Sequence, residues 1–447
     1  MTSEEWDVVI VGAGVSGLAA GSELASKGHS VLILEARDRV GGRVWTRHEP
    51  ELPAPVELGA EFIHGSIPET FELLQEVGKA ALDTSGRRWT WREGKLQQRA
   101  EDLFGQIQGG LKQFAGSNSQ DIAFDKFLAD SERYGLSPEA CKLARLAVEG
   151  FDAADPARVS TLSIAEEWGE GGMLDAPQFR PAGGYSSVLA ALSGALDRRH
   201  VRLQLRTVVQ GIAWGPGSVA VDAQFLGQPF HAKARKAIIT LPLGVLQAAP
   251  EAIGAVRFTP ALTGKRAALE GLASGPVLKV VLRFRSAFWE KLEGGRYRDA
   301  GFFQAHHLTF PTFWTPRPVH APVLAAWMGG PRAAKLGERP IGEVILAASD
   351  SAKALFDGYD LELEAAYVHD WLTDPFSRGA YSYVVVGGQK ARQELAAPVQ
   401  DALFFAGEAT DSEGGTVTGA LRSGARAARE VHKSLRSGAG ADAGLRG

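Results

Sequence analysis

The chain has 447 residues, of which 45% are hydrophobic and 22% charged, the proportions of an ordinary soluble protein with room for two or three domains. Its formal net charge of −4 gives no reason to expect a nucleic acid as a partner. A single cysteine, Cys141, excludes an internal disulfide and a cysteine-based metal cluster, so we predict no metal site and a cytoplasmic location.

Membrane segments are not predicted either, because no apolar run approaches the length that spans a membrane. The stretch Val8 to Ala20 has the apolarity of a signal-peptide core, but Glu4, Glu5 and Asp7 before it are acidic where a signal peptide is positively charged. Residues 439–447 are rich in Gly and Ala, which predicts a flexible tail that anchors nothing.

The chain opens on a predicted strand, glycine turn and helix. The apolar run Val8 to Val11 reads as a buried parallel strand that leads into a G-x-G-x-x-G turn. In that turn Gly12 permits the tight bend, Gly14 lets the backbone approach a pyrophosphate, and Gly17 lets the following helix pack closely. The helix N-terminus, which includes Ser16, presents free N–H groups to the phosphate.

A second predicted strand, Val31 to Leu34, ends at Glu35, 18 residues after Gly17. A carboxylate at this strand end is where the ribose of a dinucleotide is held. A glycine turn alone is weak evidence, since such turns are common. The strand before it, the helix after it and the acid at the next strand end together favour a bound dinucleotide.

The residues that follow indicate which dinucleotide. Gly42 allows a positive φ and a close approach of the backbone, and Arg43 offers a bidentate fork for a second phosphate. Together with Glu35, Ala36 and Arg37 they resemble the E-A-x-x-x-x-G-G-R signature of FAD enzymes of the amine oxidase superfamily. Nicotinamide dehydrogenases usually lack this signature, so the resemblance implies FAD.

The next informative segment is VELGAEFIHG, residues 56–65, whose glycines suggest backbone passing close to a flat ligand. It is similar to the E-L-G-A-x-x-I-H-G of polyamine oxidases, which in that family runs along the flavin ring. The resemblance implies that Gly59, Ala60, Glu61 and Phe62 contact the cofactor. Glu61 and His64 are also candidates for binding the substrate. The alternative for Glu61 is a solvent-exposed glutamate, and the alternative for His64 is a hydrogen-bonded histidine in a turn.

Two longer stretches are assigned by pattern. From Pro68 to about Trp168 the spacing of apolar residues is helical, which predicts the helical part of a substrate-binding domain. The sequence of this region does not indicate any catalytic residue. Strands are then predicted at 201–205, 208–214 and 237–241, where the chain returns to the nucleotide domain. By resemblance, the backbone of Val209 hydrogen-bonds the adenine.

Pro276 to Phe284 reads as a strand with Lys279 and apolar residues on opposite faces. From composition alone, the simpler interpretation is a lysine at a sheet edge that extends to water. However, the segment resembles the G-x-x-x-K-V-x-L-x-F of the amine oxidase family. The resemblance implies that Lys279 is the active-site lysine, held through a water to flavin N5.

Two aromatic residues are assigned by a later motif. Residues 371–383 look like the W-x-x-D-P-x-x-x-G-x-Y-S-Y of amine oxidases and polyamine oxidases. This implies that Trp371 borders the flavin and that Tyr381 forms a wall of the substrate cage. The alternative is a pair of ordinary core aromatics in a sheet.

The C-terminal region closes the nucleotide domain with a strand at 403–406 and a long helix. It resembles the G-E-x-T…G-T-V-x-G-A of the family. The resemblance places Gly407 and Glu408 at the ribityl or ribose hydroxyls and aims the helix N-terminus, with Thr416 and Val417, at the pyrimidine end of the flavin. Partial positive charge there favours the anionic reduced flavin.

The resemblance to the flavin-containing amine oxidase family extends from Val8 to Leu435 and implies an α/β fold of two interleaved domains. A Rossmann-like FAD-binding domain is assigned to residues 1–70, 181–257 and 386–438. A substrate-binding domain of helices and a mixed sheet is assigned to residues 71–180 and 258–385.

Three departures narrow the resemblance. Monoamine oxidases attach flavin to a cysteine where this chain has Ala380, so FAD is expected to be non-covalent. They carry a second cage tyrosine where this chain has Thr416, for which the alternative role is a cap of the last helix. Amino-acid oxidases place an arginine for the substrate carboxylate where this chain has Phe62.

The resemblance therefore implies an oxidase in which Lys279, Trp371 and Tyr381 support hydride transfer from a primary or secondary amine to flavin N5. The expected substrate is a di- or polyamine. The imine becomes an aldehyde and O2 becomes H2O2. Three alternatives stay open: an FAD oxidase or desaturase of a non-amine apolar substrate, an L-amino-acid oxidase, and a non-enzymatic FAD-binding scaffold. The expected partners are the amine and O2, and the expected state is a monomer or homodimer.

Overall fold

The computed structural model describes residues 5–98, 103–117, 120–169 and 176–443. Its strands, in chain order, are β1 (Glu5–Val11), β2 (Val31–Leu34), β3 (Thr46–Arg47), β4 (Val56–Glu57), β5 (Ile63–His64), β6 (Ala81–Asp83), β7 (Arg87–Arg92), β8 (Lys95–Gln98), β9 (Gln178–Pro181), β10 (Val201–Gln204), β11 (Thr207–Gly215), β12 (Ser218–Phe225), β13 (Gln228–Ile239), β14 (Arg257–Thr259), β15 (Leu272–Gly275), β16 (Val277–Phe284), β17 (Ala300–Gln304), β18 (Thr312–Trp314), β19 (Val323–Gly329), β20 (Leu363–Val368), β21 (Tyr381–Val384) and β22 (Leu403–Phe405). Its helices are α1 (Val15–Ser26), α2 (Pro68–Glu76), α3 (Leu103–Gly116), α4 (Phe124–Ala129), α5 (Pro138–Gly150), α6 (Thr161–Glu167), α7 (Ser186–Gly194), α8 (Leu243–Leu246), α9 (Arg266–Glu270), α10 (Gly330–Gly337), α11 (Ile341–Leu355), α12 (Ala391–Ala396) and α13 (Val417–Ala443).

The first sheet is built from distant parts of the chain. Its order is β10-β2-β1-β13-β12-β11-β14, and β22 also pairs with β13. Strand β13 changes partners along its length, because its first half pairs antiparallel with β12 and its second half runs parallel to β1 and β22. Helices α1 and α13 pack against each other on one face of this sheet. The parallel strands with helices confirm the Rossmann-like part of the predicted fold.

The second sheet is mixed, in the order β20-β16-β19-β18-β17-β7-β8. Strands β17 and β7 run parallel, whereas β16 pairs antiparallel with both β19 and β20. Helices α10 and α11 cover one face of the sheet with an aromatic-rich core. The helix-plus-mixed-sheet architecture predicted for the second part of the molecule is thereby confirmed, while the domain boundaries drawn on the sequence stay a prediction.

One part of the secondary-structure prediction was wrong. The region from Pro68 to Trp168 is not helical throughout, because it contributes β6, β7 and β8, and β7 and β8 complete the mixed sheet. The helix-like spacing of the neighbouring apolar residues does not extend through these strands: β7 and β8 pair with each other as a hairpin, whereas β6 pairs with β9 and β7 also pairs with β17. The rest of the region forms α2, which packs against α7 and the core of the first sheet, and α3 to α6, which share a separate apolar core.

The C-terminal helix extends further than expected. It continues to Ala443, into the segment predicted as a tail, and residues 444–447 lie outside the described part of the chain. Among the residues described, no helix is both long enough and apolar enough to cross a bilayer.

Candidate active site

A cavity of about 720 Å³ lies at the carboxyl ends of the parallel strands and extends to the mixed sheet. Residues that follow β1, β2, β13 and β22 line its nucleotide end, which is the usual ligand position in a doubly wound sheet. Lys279, Trp371, Tyr381 and His64 line the same cavity. With the exception of Gly17, the predicted cofactor and substrate residues all contribute to its lining: Gly12, Gly14, Ser16, Glu35, Ala36, Arg37, Gly42, Arg43, Gly59, Ala60, Glu61, Phe62, His64, Val209, Lys279, Trp371, Tyr381, Gly407, Glu408, Thr416 and Val417.

The glycine turn is shaped as a phosphate cradle. Gly12 has a φ of +109°, and a Cβ on Gly17 would lie 2.0 Å from the Gly12 carbonyl oxygen. Gly17 therefore does not line the cavity itself. Its missing side chain lets the first turn of α1 pack directly against the Gly12 carbonyl. The Ser16 hydroxyl is buried in the cradle without a hydrogen-bond partner among the described residues. A phosphate oxygen is a group that would satisfy it.

Glu35 fixes the turn as well as facing the cavity. One carboxylate oxygen accepts the Ala13 N–H at 2.8 Å, and the other accepts the Arg37 N–H at 2.9 Å. The Arg37 side chain in turn donates to Asp374 at 2.8 Å, which ties the end of β2 to the loop after Trp371. Glu35 thus lines the cavity at the end of β2 and is oriented by backbone donors, while its contact with a ribose stays a prediction.

The segment around Gly59 is compressed between two neighbours. A Cβ on Gly59 would lie 1.9 Å from the Arg43 carbonyl oxygen and 3.3 Å from the Trp371 ring. The Trp371 indole N–H donates to the Leu58 carbonyl at 2.8 Å. Only glycine permits this approach, so the backbone of residues 58–60 and the face of Trp371 form one continuous wall.

Lys279 is a buried residue on β16, the second strand of the mixed sheet. It is 4% exposed and lies on β16, which has strand partners on both sides, so the interpretation as an edge lysine is wrong. Its Nζ donates to Glu61 Oε2 at 2.5 Å and to the Gly59 carbonyl at 3.2 Å. The lysine is therefore held against the segment predicted to follow the flavin ring.

Glu61 is not the free substrate anchor that the sequence suggested. Besides Lys279, its carboxylate accepts the Arg180 Nε at 2.9 Å and the Trp314 indole N–H at 3.0 Å. Burial alone would raise the pKa of Glu61, but Lys279 and Arg180 outweigh it, and the pKa lies below its usual range. The carboxylate is charged and already neutralised by two cations, so it positions Lys279. The alternative of a solvent-exposed glutamate is equally wrong.

His64 lines the cavity as a neutral ring. Its imidazole packs edge-on against Phe151, with ring centroids 5.6 Å apart. Burial lowers the pKa of His64 to about 4, and its Nδ1 has no hydrogen-bond partner among the described residues. A neutral imidazole can exchange a hydrogen bond with a substrate nitrogen, but it does not attract an ammonium by charge.

Tyr381 opens β21 and forms part of the cavity wall. Its hydroxyl donates to the Phe151 carbonyl at 2.5 Å, which fixes the ring between β21 and the segment after α5. Burial raises the pKa of Tyr381 well above its ordinary value, and the nearby Asp152 and Glu167 raise it further. The phenol therefore stays protonated and contributes shape and aromatic surface.

Arg43 and Glu408 bind each other, which revises both predictions. Arg43 Nη1 donates to Glu408 Oε1 at 2.9 Å and to the Ala380 carbonyl at 2.7 Å, so a phosphate contact must use the remaining guanidinium N–H groups. The other Glu408 oxygen accepts from the Ser382 hydroxyl at 2.6 Å and from the Gly415 N–H at 3.0 Å. Glu408 thus cross-links the site and does not depend on a cofactor hydroxyl.

The N-terminus of α13 is capped as the sequence suggested. The Thr416 hydroxyl accepts the Gly419 N–H at 2.9 Å and donates to the Glu413 carbonyl at 2.8 Å. This is the geometry of an N-cap, and it leaves the first N–H groups of the helix at the cavity.

Several residues of the site were missed in the sequence. Arg180, which holds Glu61, lies on the short strand β9, and no local pattern marks it. Asp152 and Glu167 lie in the region interpreted as chemically silent, and Arg88 lies on a strand that was not predicted.

Glu57 allows a test of how the segment before Gly59 is stabilised. It is 5% exposed, and burial raises its pKa from 4.5 to about 7, although the Tyr185 N–H donates to it at 2.6 Å. Between these two pH values the folded protein binds more protons than the unfolded one, so stability falls as the pH rises through them and stays lower above pH 7.

We expect Glu57→Gln to remove this loss, which amounts to about 3 kcal/mol at most. In thermal unfolding, the melting temperature of the variant relative to that of the wild type should be higher at pH 8 than at pH 5. Glu51→Gln is the matched control, since the Glu51 side chain is 66% exposed. A melting-temperature difference between Glu57→Gln and wild type that does not change with pH would contradict the burial argument.

Comparisons with known proteins agree with this geometry. The family profile described as flavin containing amine oxidoreductase matches residues 15–432. Polyamine oxidase 2 of Arabidopsis thaliana is 30% identical over 470 residues, covering 96% of this chain and 89% of that protein. The structure of cyclohexylamine oxidase from Brevibacterium oxydans IH-35A superposes with a TM-score of 0.78 at 24% identity, covering 97% of this chain and all of that one.

Some relatives are much longer than this chain. Lysine-specific histone demethylase 1 homolog 3 of Arabidopsis thaliana is 29% identical over 518 residues, which cover 97% of this chain but only 30% of that protein. The similarity therefore concerns the part of the demethylase that carries this fold. Because the family match spans nearly the whole sequence, the chain belongs to the family of flavin-containing amine oxidoreductases.

Proposed function

We propose that this protein uses non-covalently bound FAD to oxidise a primary or secondary amine, with di- and polyamines as preferred substrates. The observation that carries the proposal is the buried Lys279 held by Glu61 in the same cavity as the glycine turn and Tyr381. Polyamine oxidases among the relatives support the substrate class. The cytoplasmic location and the monomeric or dimeric state stay predictions.

The residues of the cavity fit FAD. The unpartnered Ser16 hydroxyl and the N-termini of α1 and α13 suit its phosphates and the electron-rich end of its ring, and the wall formed by residues 58–60 and Trp371 suits a flat group. When bound, FAD supplies a hydride acceptor at N5 for the C–H bond next to nitrogen, and O2 reoxidises it to give H2O2.

The protein's own contribution is to exclude water, orient the amine and fix one cation. Apolar and aromatic walls, including Phe62, Phe151 and Trp327, disfavour an ammonium, so the amine reacts in its neutral form. Tyr381 packs against the amine, and Lys279 is positioned by Glu61 to hold a water. The imine leaves the site and water converts it to an aldehyde and a smaller amine or ammonia.

An amine that also carries a carboxylate, such as an L-amino acid, is the second candidate. Arg88 lines the cavity with its guanidinium 4.9 Å from the centre of the Phe302 ring, and it has no carboxylate partner among the residues described. An unpaired guanidinium is suited to bind a carboxylate. The position predicted from amino-acid oxidases is still Phe62, so this candidate depends on Arg88 alone.

A product assay separates these candidates. The purified protein is incubated in air with putrescine, spermidine, phenethylamine or L-phenylalanine, and aldehyde, keto acid and H2O2 are measured. We expect aldehyde and H2O2 in equal amounts with the di- and polyamine. Keto acid from L-phenylalanine as the main product would favour the second candidate. Absence of H2O2 with every amine would reject the proposal and leave a desaturase or a binding protein.

The non-covalent state of FAD gives a further prediction. Ala380 stands beside Tyr381, where a thioether to flavin would need a cysteine. We expect acid precipitation to release all of the yellow colour into the supernatant, where the absorbance of free flavin is measured. Colour retained on the precipitated protein would show a covalent link elsewhere.

A further inference from the structure

Arg392, on α12, lies directly behind the part of the cavity wall that leads into α13. Its guanidinium packs against the backbone of Gly414, since a Cβ on that glycine would lie 2.0 Å from Arg392 Cζ. Gly414, Gly415 and Thr416 line the cavity in front of it, and Arg392 stands behind this lining. A residue without a side chain permits this approach, so one layer of backbone separates the positive charge from the cavity.

Hydrogen bonds hold the guanidinium of Arg392 in this position. Its Nη1 donates to the Ser382 hydroxyl oxygen at 2.7 Å, and its Nη2 donates to the Ser382 carbonyl at 3.0 Å. Because the Ser382 hydroxyl accepts from Arg392, its own proton is directed to Glu408 Oε2, which lies at 2.6 Å. Arg392 thereby orients the serine that holds the Glu408 carboxylate.

The charges at this wall do not cancel. Glu408 is already the counter-charge of Arg43, which lies 2.9 Å away. Within the described ranges Arg392 forms no ion pair, and the oxygens to which it donates belong to a hydroxyl and to two backbone carbonyls, that of Glu408 at 3.4 Å included. Glu167 is the other acid near Arg392, but burial raises the pKa of Glu167 and so weakens it as a counter-charge. Among Arg43, Glu408 and Arg392, one positive charge is therefore left without a partner.

We propose that Arg392 raises the reduction potential of the bound flavin by fixing an unpaired positive charge behind the N-terminus of α13. The inference rests on the proposed function, since it requires FAD to lie with the pyrimidine end of its ring at this wall. A hydride brings two electrons and one proton, so the group that accepts it gains one negative charge. A cation that is already held in place stabilises this charge without reorganisation, and its effect adds to that of the helix N-terminus.

Two substitutions separate the charge of Arg392 from its hydrogen bonds. Arg392→Gln keeps an N–H donor and removes the charge, whereas Arg392→Lys keeps the charge and loses the planar fork. The potential of each holoenzyme is measured by stepwise anaerobic reduction in the presence of a reference dye. We expect Arg392→Gln to lower it by about 30 mV, which corresponds to about tenfold weaker binding of reduced relative to oxidised flavin. The potential of Arg392→Lys should stay close to that of the wild type.

Lys390→Gln is the matched control for the loss of a positive charge. Lys390 lies just before α12 at an exposed position, where solvent screens its charge, so the potential of this variant should equal that of the wild type. An unchanged potential in Arg392→Gln would overturn the proposal. An equal fall in Arg392→Gln and Arg392→Lys would also overturn it, because the hydrogen bonds to Ser382 and not the charge would then be responsible.

Flavin affinity gives a second readout, which needs neither turnover nor a full complement of flavin. The full chain, freed of flavin, is titrated by calorimetry with oxidised FAD and, under nitrogen, with FAD reduced beforehand by dithionite. We expect Arg392→Gln to lose about tenfold more affinity for reduced FAD than for oxidised FAD. An equal loss for both forms would show a purely structural residue and overturn the proposal. If no amine reduces the flavin, the proposed function fails, and the ratio of the two affinities still decides the role of Arg392.

Discussion

Replacing Lys279 with methionine is expected to lower the turnover of an amine by about a hundredfold or more while the flavin stays bound. Methionine fills the buried position on β16 without a charge, and Glu61 keeps Arg180 and Trp314 as partners. The fold and the phosphate cradle are therefore preserved, and only the fixed ammonium is lost. The measurement is kcat per bound flavin, with flavin content taken from the visible absorbance.

The matched control is another buried lysine. Lys265 is 4% exposed and donates to the Glu394 carbonyl at 2.6 Å and to the Leu395 carbonyl at 3.1 Å, outside the lining of the cavity. Lys265→Met should lower the melting temperature, because it leaves buried carbonyl groups without a donor, and should keep kcat per bound flavin. Full turnover in Lys279→Met would remove Lys279 from the mechanism.

Replacing Gly17 with alanine is expected to give a protein that purifies largely without flavin. The added Cβ would lie 2.0 Å from the Gly12 carbonyl oxygen, a distance that backbone atoms cannot accept. The turn and the start of α1 must separate, which displaces the N–H groups that face the pyrophosphate. The ratio of visible to ultraviolet absorbance, followed by titration with FAD, measures the loss.

Gly109→Ala controls for glycine replacement as such. Gly109 lies inside α3 with no atom within 4 Å of the added Cβ, so the variant should bind flavin normally and gain about 0.5–1 kcal/mol in stability. Gly17→Ala with a full complement of tightly bound flavin would mean that the cradle is not where the cofactor binds.

The nucleotide end of the site could be predicted from sequence because its chemistry is local. The strand, the Gly12 bend, the close packing of Gly17 and the carboxylate of Glu35 all lie between Val8 and Glu35, and each follows from backbone geometry. The N-cap of α13 at Thr416 is local in the same way.

The substrate end could not be predicted in this detail because its contacts are long-range. The pairing of Glu61 joins it to Arg180, Trp314 and Lys279, which are 119, 253 and 218 residues away. The sequence shows that Glu61 is near the flavin segment, but not that three distant donors engage its charge. Motif resemblance predicted Lys279 as a residue of the site, and the structure shows it buried at the cavity, where composition alone favoured a sheet edge.

The same limit explains why Asp152 and Glu167 were missed. Asp152 follows α5 and Glu167 is the last residue of α6, and only the packing of the helices against β21 brings both to the cavity. A periodic pattern indicates which helix face is buried. It does not indicate which buried face borders a cavity.

The most direct test of the account is anaerobic titration of the oxidised protein with putrescine, followed by the visible absorbance of the flavin. We predict that the yellow absorbance bleaches without oxygen and that one aldehyde molecule forms for each flavin reduced. In Lys279→Met, either the bleaching by putrescine or the return of the colour in air should be far slower. Oxidised flavin that remains bound and unbleached with putrescine, spermidine and phenethylamine alike would contradict amine oxidation at this site.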